Sequence, residues 1–518
     1  MPKQKNDDLL ALICSLSKAE KRHFRLFVSR NSAAEDLLFL QLFDYLDKKE
    51  EYDEADIIRK LPGIKKHQLS NLKAHLYGQL LTSLRLLARN QQEDMLLRER
   101  LDHARILYNK GLYRQSLDVL AKTKERALQG QFHTLALEAL EFEILIEGQY
   151  ITRSIEGRAE ALTRESEQLQ ATLGNNHHFA NLSLQLYGLF LKAGFARNPA
   201  EYAAAKAFFE ARLPGIAPGQ LDFWGRVYYH QSHFWLYHIG QEFSPCFRHT
   251  MQWVRLFEQQ PRMMQLNAPL YLKGLHNLLG TLAYTLDYRR FTQYYAVLLD
   301  FPQQYPLARD QNVEGLYWLY HFLHRINKHY MEGSFSEGAK IAPEIEACIV
   351  ENRYNWDRHR VMLFYYRIAC LYFGKADYER SIDYLNKIIN QKTPDYRADI
   401  QCFARILNLI AHFELGNMLL VQNLIKSVYR FLLHIEDLQQ VQREIFYFLR
   451  RIPDMSAGAL TEEFRALRDK LLPLREDRFE RRPFMYLDII TWLETKLEGR
   501  SIEELVGGRF LREWGEKL

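Results

Sequence analysis

Apolar positions recur at helical spacing along nearly the whole chain. Leu69, Leu72, Leu76, Leu80, Leu84 and Leu87 advance in steps of three or four, which draws one stripe on a helix. Strict alternation over a strand length is hard to find. Helix-stopping residues punctuate the pattern at Gly111, Gly174, Gly333 and Gly416, and at Pro199, Pro214, Pro261, Pro302 and Pro394. On this reading Gly174-Asn175-Asn176 and His177-His178 form a loop at a helix start. The pattern predicts an all-α protein.

A longer period overlies the helical one. One helix ends in Lys110-Gly111-Leu112-Tyr113, followed by Ser116 and Leu120. The segment Ala369-Cys370-Leu371-Tyr372-Phe373-Gly374-Lys375-Ala376-Asp377-Tyr378 repeats the arrangement with Ser381 and Leu385, and Pro394 closes it. These residues resemble a tetratricopeptide repeat: a small residue and an aromatic in the first helix, a turn ending in tyrosine, a small residue, then a bulky one. The template places turn residues at Tyr113, Ile155, Tyr202, Phe243, Tyr288, Phe335, Tyr378 and Met418, spaced 40 to 47 apart. The residue three further on is small at Ser116, Ala205, Cys246, Gly338 and Ser381, but not at Arg158, Phe291 or Val421. The period exceeds the roughly 34 residues of a standard repeat, so helices and loops are longer here. The resemblance covers roughly residues 93 to 440 and implies a right-handed TPR-like α-solenoid of about eight antiparallel hairpins.

Two flanks lack the repeat, giving a division into residues 1–92, 93–440 and 441–518. The first is expected to be a small helical domain. It opens with a capping box at Ser17 and Glu20, continues with helices at Asp36–Lys48 and Glu54–Leu61, and breaks at Pro62-Gly63 before the leucine-striped helix. The last, with Pro483 at a first helical turn and an amphipathic stretch Phe484–Leu497, is expected to be a helical cap over the final hairpin.

Composition narrows the class. Gly and Pro are sparse (25 and 15 of 518), and the hydrophobic fraction is an ordinary 47%, which excludes disorder and collagen. Five scattered cysteines without a C-x-x-C point to a reducing compartment. The apolar run Leu9–Ile13 is too short for a signal-peptide core. The stretch Val361–Phe373 contains Arg367 and is too short for a membrane span. A soluble, cytoplasmic protein is expected.

Candidate chemistry is thin. His230, His233 and His238 share one helix, and His321, His324 and His329 repeat their spacing. Neither set holds the i,i+4 pair that zinc favours, so no metal and no cofactor is assigned. No phosphate-loop, dinucleotide, nucleophile-elbow or zincin motif is present, and an enzyme is only a third reading. Residues 1–92 carry 16 Lys/Arg against 12 Asp/Glu, four of the five net positive charges of the chain. Their helix–break–helix pattern puts Lys65, Lys66 and Lys73 forward as nucleic-acid contacts. The length of the second helix argues for packing instead. The arginines at 475, 478, 481 and 482 alternate with acids and read as a charged loop.

The inner face of the repeats carries the leading expectation. In the resembling family the first helix of each hairpin lines the concave surface. Counting back twelve, eight and five residues from each turn gives Gln231, Trp235 and His238; His276, Gly280 and Ala283; Leu323, Asn327 and Tyr330; and Tyr366, Cys370 and Phe373. Tyr228 and Tyr320 lie one turn earlier. This face is aromatic and nearly uncharged, in keeping with residues 221–300, where 17 of 80 are aromatic and only 12 charged. Tyr and Trp give large contact area at low entropic cost. The expected function is a non-enzymatic scaffold or adaptor that binds a protein or peptide in this groove, with no membrane partner. The alternative is a regulator with a nucleic-acid-contacting N-terminal domain and a ligand-sensing repeat domain.

Overall fold

A computed structural model describes residues 7–31, 36–88, 92–150, 157–391, 398–433, 440–451, 457–481, 484 and 488–515. Among them no strand occurs, and the chain is all-α. It divides into two compact units, residues 1–173 and 174–518.

The first unit begins with α1 (Asp8–Ser15), α2 (Lys18–Asn31), α3 (Asp36–Leu46), α4 (Glu54–Lys60) and α5 (Lys66–Ala88). Ser17 and Glu20 form the expected reciprocal cap: Ser17 N donates to Glu20 Oε2 at 2.7 Å, and Glu20 N to Ser17 Oγ at 3.3 Å. Leu69, Leu76 and Leu80 of α5 are buried in a core with Phe24, Leu42 and Phe43. A separate cluster holds α6 (Glu93–Asn109), α7 (Tyr113–Gln129), α8 (His133–Gln149) and the start of α9 (Arg158–Ala193). The expected boundary near residue 92 therefore falls between two hydrophobic clusters within one unit. Helix α9 runs through Gly174 to His178 without interruption, so these residues are helical and not a loop. Ile155 lies outside the described residues.

The second unit continues with α10 (Pro199–Glu210), α11 (Phe223–Ile239), α12 (Phe243–Gln259), α13 (Pro261–Leu266), α14 (Ala268–Tyr284), α15 (Tyr288–Gln304), α16 (Gln311–Glu332), α17 (Phe335–Gly338), α18 (Ala342–Val350), α19 (Arg358–Gly374), α20 (Tyr378–Ile389), α21 (Ala398–Glu414) and α22 (Met418–Leu433). It closes with α23 (Gln440–Arg451), α24 (Ala457–Glu476), α25 (Ile489–Glu498) and α26 (Ile502–Trp514). Helices α11/α12, α14/α15, α19/α20 and α21/α22 are hairpins. Across hairpins, α14 packs on α12 and α16, and α19 on α16 and α21.

One turn closes most of these hairpins. Gly111, Gln241, Leu286, Gly333, Ala376 and Gly416 all have positive φ (54° to 75°), and each lies two residues before the first residue of the next helix. The amide after each reaches five residues back, as in Asp377 N to Tyr372 O at 2.9 Å, satisfying a carbonyl at the helix end. Six of the eight expected turn residues thus start a helix. Tyr202 instead lies inside α10, whose first residue is Pro199. Gln131 makes the same turn before His133, an additional hairpin between α7 and α8. The small residue after the turn also has a bonding role. Ser116 Oγ donates to Ala104 O at 2.8 Å and Ser381 Oγ to Ala369 O at 2.9 Å, each twelve residues back in the preceding helix.

The C-terminal segment does more than cover the last hairpin. Helix α23 packs on α21 and α22, but the chain beyond α24 meets the turns of earlier hairpins. Arg478 Nε donates to Gly240 O and Arg481 to Gln241 O. Trp492 Nε1 donates to Glu414 at 2.7 Å, and Glu503 accepts from Ser336 N at 2.9 Å. Phe510 packs edge-on against Tyr288. Helix α26 passes so near Gly333 that a Cβ there would lie 2.4 Å from Gly507 N. Phe484 is helical, and helix α25 runs from Ile489, capped by Asp488; Pro483 lies outside the described residues.

Candidate functional site

Helices α11, α14, α16 and α19 of the second unit border one recess of about 560 Å³. Trp235 and His238 from α11, His276, Gly280 and Ala283 from α14, Leu323, Asn327 and Tyr330 from α16, and Cys370 and Phe373 from α19 all line it. The recess lies against the C-terminal halves of these helices. Gln231, Tyr228, Tyr320 and Tyr366, twelve or fifteen residues before their turns, do not line it. Tyr366 is 1% exposed, Gln231 and Tyr320 are buried, and Tyr228 stacks on Trp224.

Three features depart from the expected groove. First, Trp235, His238 and Phe373 are buried, so their rings form the wall of a recess and not an open floor. Second, the wall is not nearly uncharged. Arg367 enters from α19, and Arg475, Arg481 and Asp488 come from the C-terminal segment. Arg367 directly follows a residue of the expected stripe, so the lining face is wider than that stripe. Asn277, Thr281 and His324 enter the same way. The C-terminal residues carry no local signal in the sequence that ties them to a surface so far back in the chain. Third, Arg478 and Arg481 are not simply a charged loop: their guanidinium groups lie over Tyr202 at 4.5 Å and Phe243 at 4.6 Å.

The polar groups of the wall fall into two sets. One is internally satisfied. His276 Nδ1 and His324 Nε2 are 2.9 Å apart, Asn327 Nδ2 lies 3.3 Å from His324 Nδ1, and Tyr330 donates to Arg367 O at 2.5 Å. The His276 ring stacks on Tyr320 at 4.1 Å. Asp488 is occupied as a helix cap, accepting from Thr491 N at 3.2 Å and Thr491 Oγ1 at 2.5 Å. The other set is buried without a hydrogen-bond partner: Trp235 Nε1, His238 Nδ1, Asn277 Nδ2 and Arg481 Nε. Burial pushes the His238 and His276 imidazoles down to about 3, so both are neutral at pH 7. Burial likewise pushes the Cys370 thiol up to about 11, which keeps it protonated and a poor nucleophile.

His230 and His233 both pack against His249, at 5.3 and 4.7 Å between ring centroids, while His238 lies in the wall of the recess. His230 Nδ1 faces His249 Nδ1 at 3.1 Å, His233 Nδ1 pairs with Tyr229 O, His321 stacks near Tyr295 and Tyr317, and His329 Nδ1 pairs with Ser334 Oγ. Among the described residues no group of three His, Cys, Asp or Glu is placed to hold one metal ion, and no helix is long and apolar enough to cross a membrane. In the first unit Lys65 and Lys66 are exposed at the start of α5. Lys73 is engaged otherwise, ion-paired with Asp7 and lying 4.1 Å from the centre of the Tyr52 ring.

No family model, curated protein or solved structure matches the chain, so the likeness to tetratricopeptide repeats rests on the residues at and around the turns.

Proposed function

We propose that the second unit is a right-handed TPR-like solenoid that binds a protein or peptide partner, without catalysis, on the face formed by the first helices of its hairpins. The observation that carries this reading is the convergence of α11, α14, α16 and α19 on one recess of about 560 Å³. That volume is ordinary for a ligand site. Its aromatic wall supplies apolar burial, and its unpartnered N–H groups supply hydrogen bonds to a backbone. As an adaptor the protein would work in the cytoplasm.

Gly280 offers a clean test. It lies in the wall in mid-helix, and a Cβ there meets nothing within 4 Å. Gly280→Leu therefore fills the recess while favouring the helix. Partners recovered by pull-down with the wild-type chain are expected to be lost with Gly280→Leu at unchanged melting temperature. Retention of every partner by the folded variant refutes the reading.

A further inference from the structure

Charge is one-sided on three of the helices that border the recess. Helices α11, α14 and α19, of 17 residues each, carry Arg226, Lys273, Arg358, Arg360 and Arg367 and not one Asp or Glu. Lys273 is the only charged residue of α14. It lies one turn before His276 and Asn277 of the recess wall, on the same face of the helix. Its ammonium meets rings and no acid. Nζ lies 4.7 Å from the centre of the Tyr187 ring and 5.8 Å from that of Trp235, two rings that are themselves 4.7 Å apart. Among the described residues no carboxylate pairs with Lys273. The charged side chain that acts on it is Arg360, another cation, whose own partner is Asp357 at 3.2 Å. Burial, with Arg360 adding to it, pushes the Lys273 ammonium below its ordinary value, the direction expected of a cation short of a counter-charge. Ring faces attract the charge but offer its three N–H donors no lone pair. The side chain is half-buried and keeps contact with solvent, so a partner can reach it.

Trp235 joins this cation to the recess, since the ring beside Lys273 is also part of the wall. From this placement we infer that Lys273 receives an acidic side chain of the protein or peptide partner while a nearby apolar side chain of the same partner fills the recess. The inference rests on the recess being the binding site and adds what the partner must carry beside it. Lys273 lies in the middle of the row of helices, with Trp235 of α11 on one side and α16 packed on the other. A chain that reaches it can continue past it, which selects a side chain over a chain end. Lys273 and Gly280 are seven residues apart on α14, about 10 Å along the helix. An extended peptide spans that in about three residues, so the acid is expected about three residues from the apolar anchor.

Random dodecapeptides displayed on phage through their C-termini, which leaves no free peptide carboxylate, test this on the full chain. The wild-type chain is expected to select peptides in which Asp or Glu stands about three residues from Leu, Phe or Trp. Changing that acid to its amide in a selected peptide should weaken binding about tenfold, as the loss of one charge-assisted hydrogen bond does. Lys273→Met should abolish the acid preference and Lys273→Arg keep most of it. The acid-to-amide change reads the same contact on the unaltered chain if a variant does not fold. Selected peptides without an acid preference, or with one that Lys273→Met leaves intact, overturn the inference, while their loss in Gly280→Leu leaves the recess reading standing. Binding unchanged in Gly280→Leu removes the recess reading and the inference with it. Competition by hexanoate against peptides that show no acid preference assigns the lysine to a free acid, which also overturns it. Selection no better than with the Lys273→Met, Gly280→Leu double variant counts against both.

Discussion

The two units build hairpins with the same device and differ in the polar groups they bury. In the first unit Ser116 ties α7 to α6, and in the second Ser381 ties α20 to α19, through the same hydroxyl-to-carbonyl bond. The first unit then buries charge in closed sets. Lys124 donates at 2.8 Å to both Glu143, which is 1% exposed, and Glu165, and Arg158 also pairs with Glu143. The second unit buries neutral histidines and aromatic rings, and at its recess it leaves donors without acceptors. A fully paired network specifies one structure, whereas unpaired buried donors cost stability.

The largest expected effect is on acid stability. The imidazoles of His238, His249 and His276 are held at about 3 by burial, and those of His230 and His321 at about 4. Each binds a proton more weakly folded than unfolded. The stabilisation is therefore complete above about pH 6.5 and is lost as pH falls toward the folded values. Each such group removes about 1.4 kcal/mol per pH unit within that window. Urea unfolding at pH 7, 6 and 5 should show a steep loss, with near-ultraviolet signals of the tryptophans of the second unit (Trp224, Trp235, Trp253 and their neighbours) lost first. A flat profile contradicts the burial assigned to these rings.

Lys124→Met comes next. It leaves Glu143 in the interior with one partner fewer, and a loss of about 3 kcal/mol is expected from denaturant midpoints. Asn277→Leu is its counterpart in the second unit and should cost under about 0.5 kcal/mol, because the buried Nδ2 it removes has no partner. Equal costs at the two sites would erase the contrast between the units. A gain instead of a loss is expected at the turn that both units share. Leu286 has φ +54° and is 52% exposed, so Leu286→Gly relieves a left-handed backbone at little loss of packing and should raise stability by roughly 1 kcal/mol in thermal melts.

The sequence made the helices legible because apolar spacing and turn chemistry are local. The turn needs a left-handed residue and then a residue that packs between helices, and Gly111, Gly333 and Gly416 announce it. Gln241, Leu286 and Ala376 occupy the same conformation without announcing it, and their turns were found only from the aromatic that follows. Gly174 misleads in the reverse direction, because a helix of 36 residues absorbs one glycine at a cost of about 1 kcal/mol. The site was legible only in part. The stripe on α11, α14, α16 and α19 follows from the family likeness and a count back from the turns, whereas its extension to Asn277 and His324 one position on is seen only in the packed helices. Which face the arginines at 475–481 would meet depends on contacts that no local pattern encodes.

That return of the C-terminal segment also bears on how the chain is made. Hairpin stacks fold by neighbour contacts and can assemble as they emerge during synthesis. Arg478 and Arg481, by contrast, reach backbone carbonyls 238 and 240 residues earlier. Contacts on that sequence separation form slowly compared with those between neighbouring hairpins. Stacking of the second unit's hairpins on their neighbours does not require these contacts, whereas the full wall of the recess does.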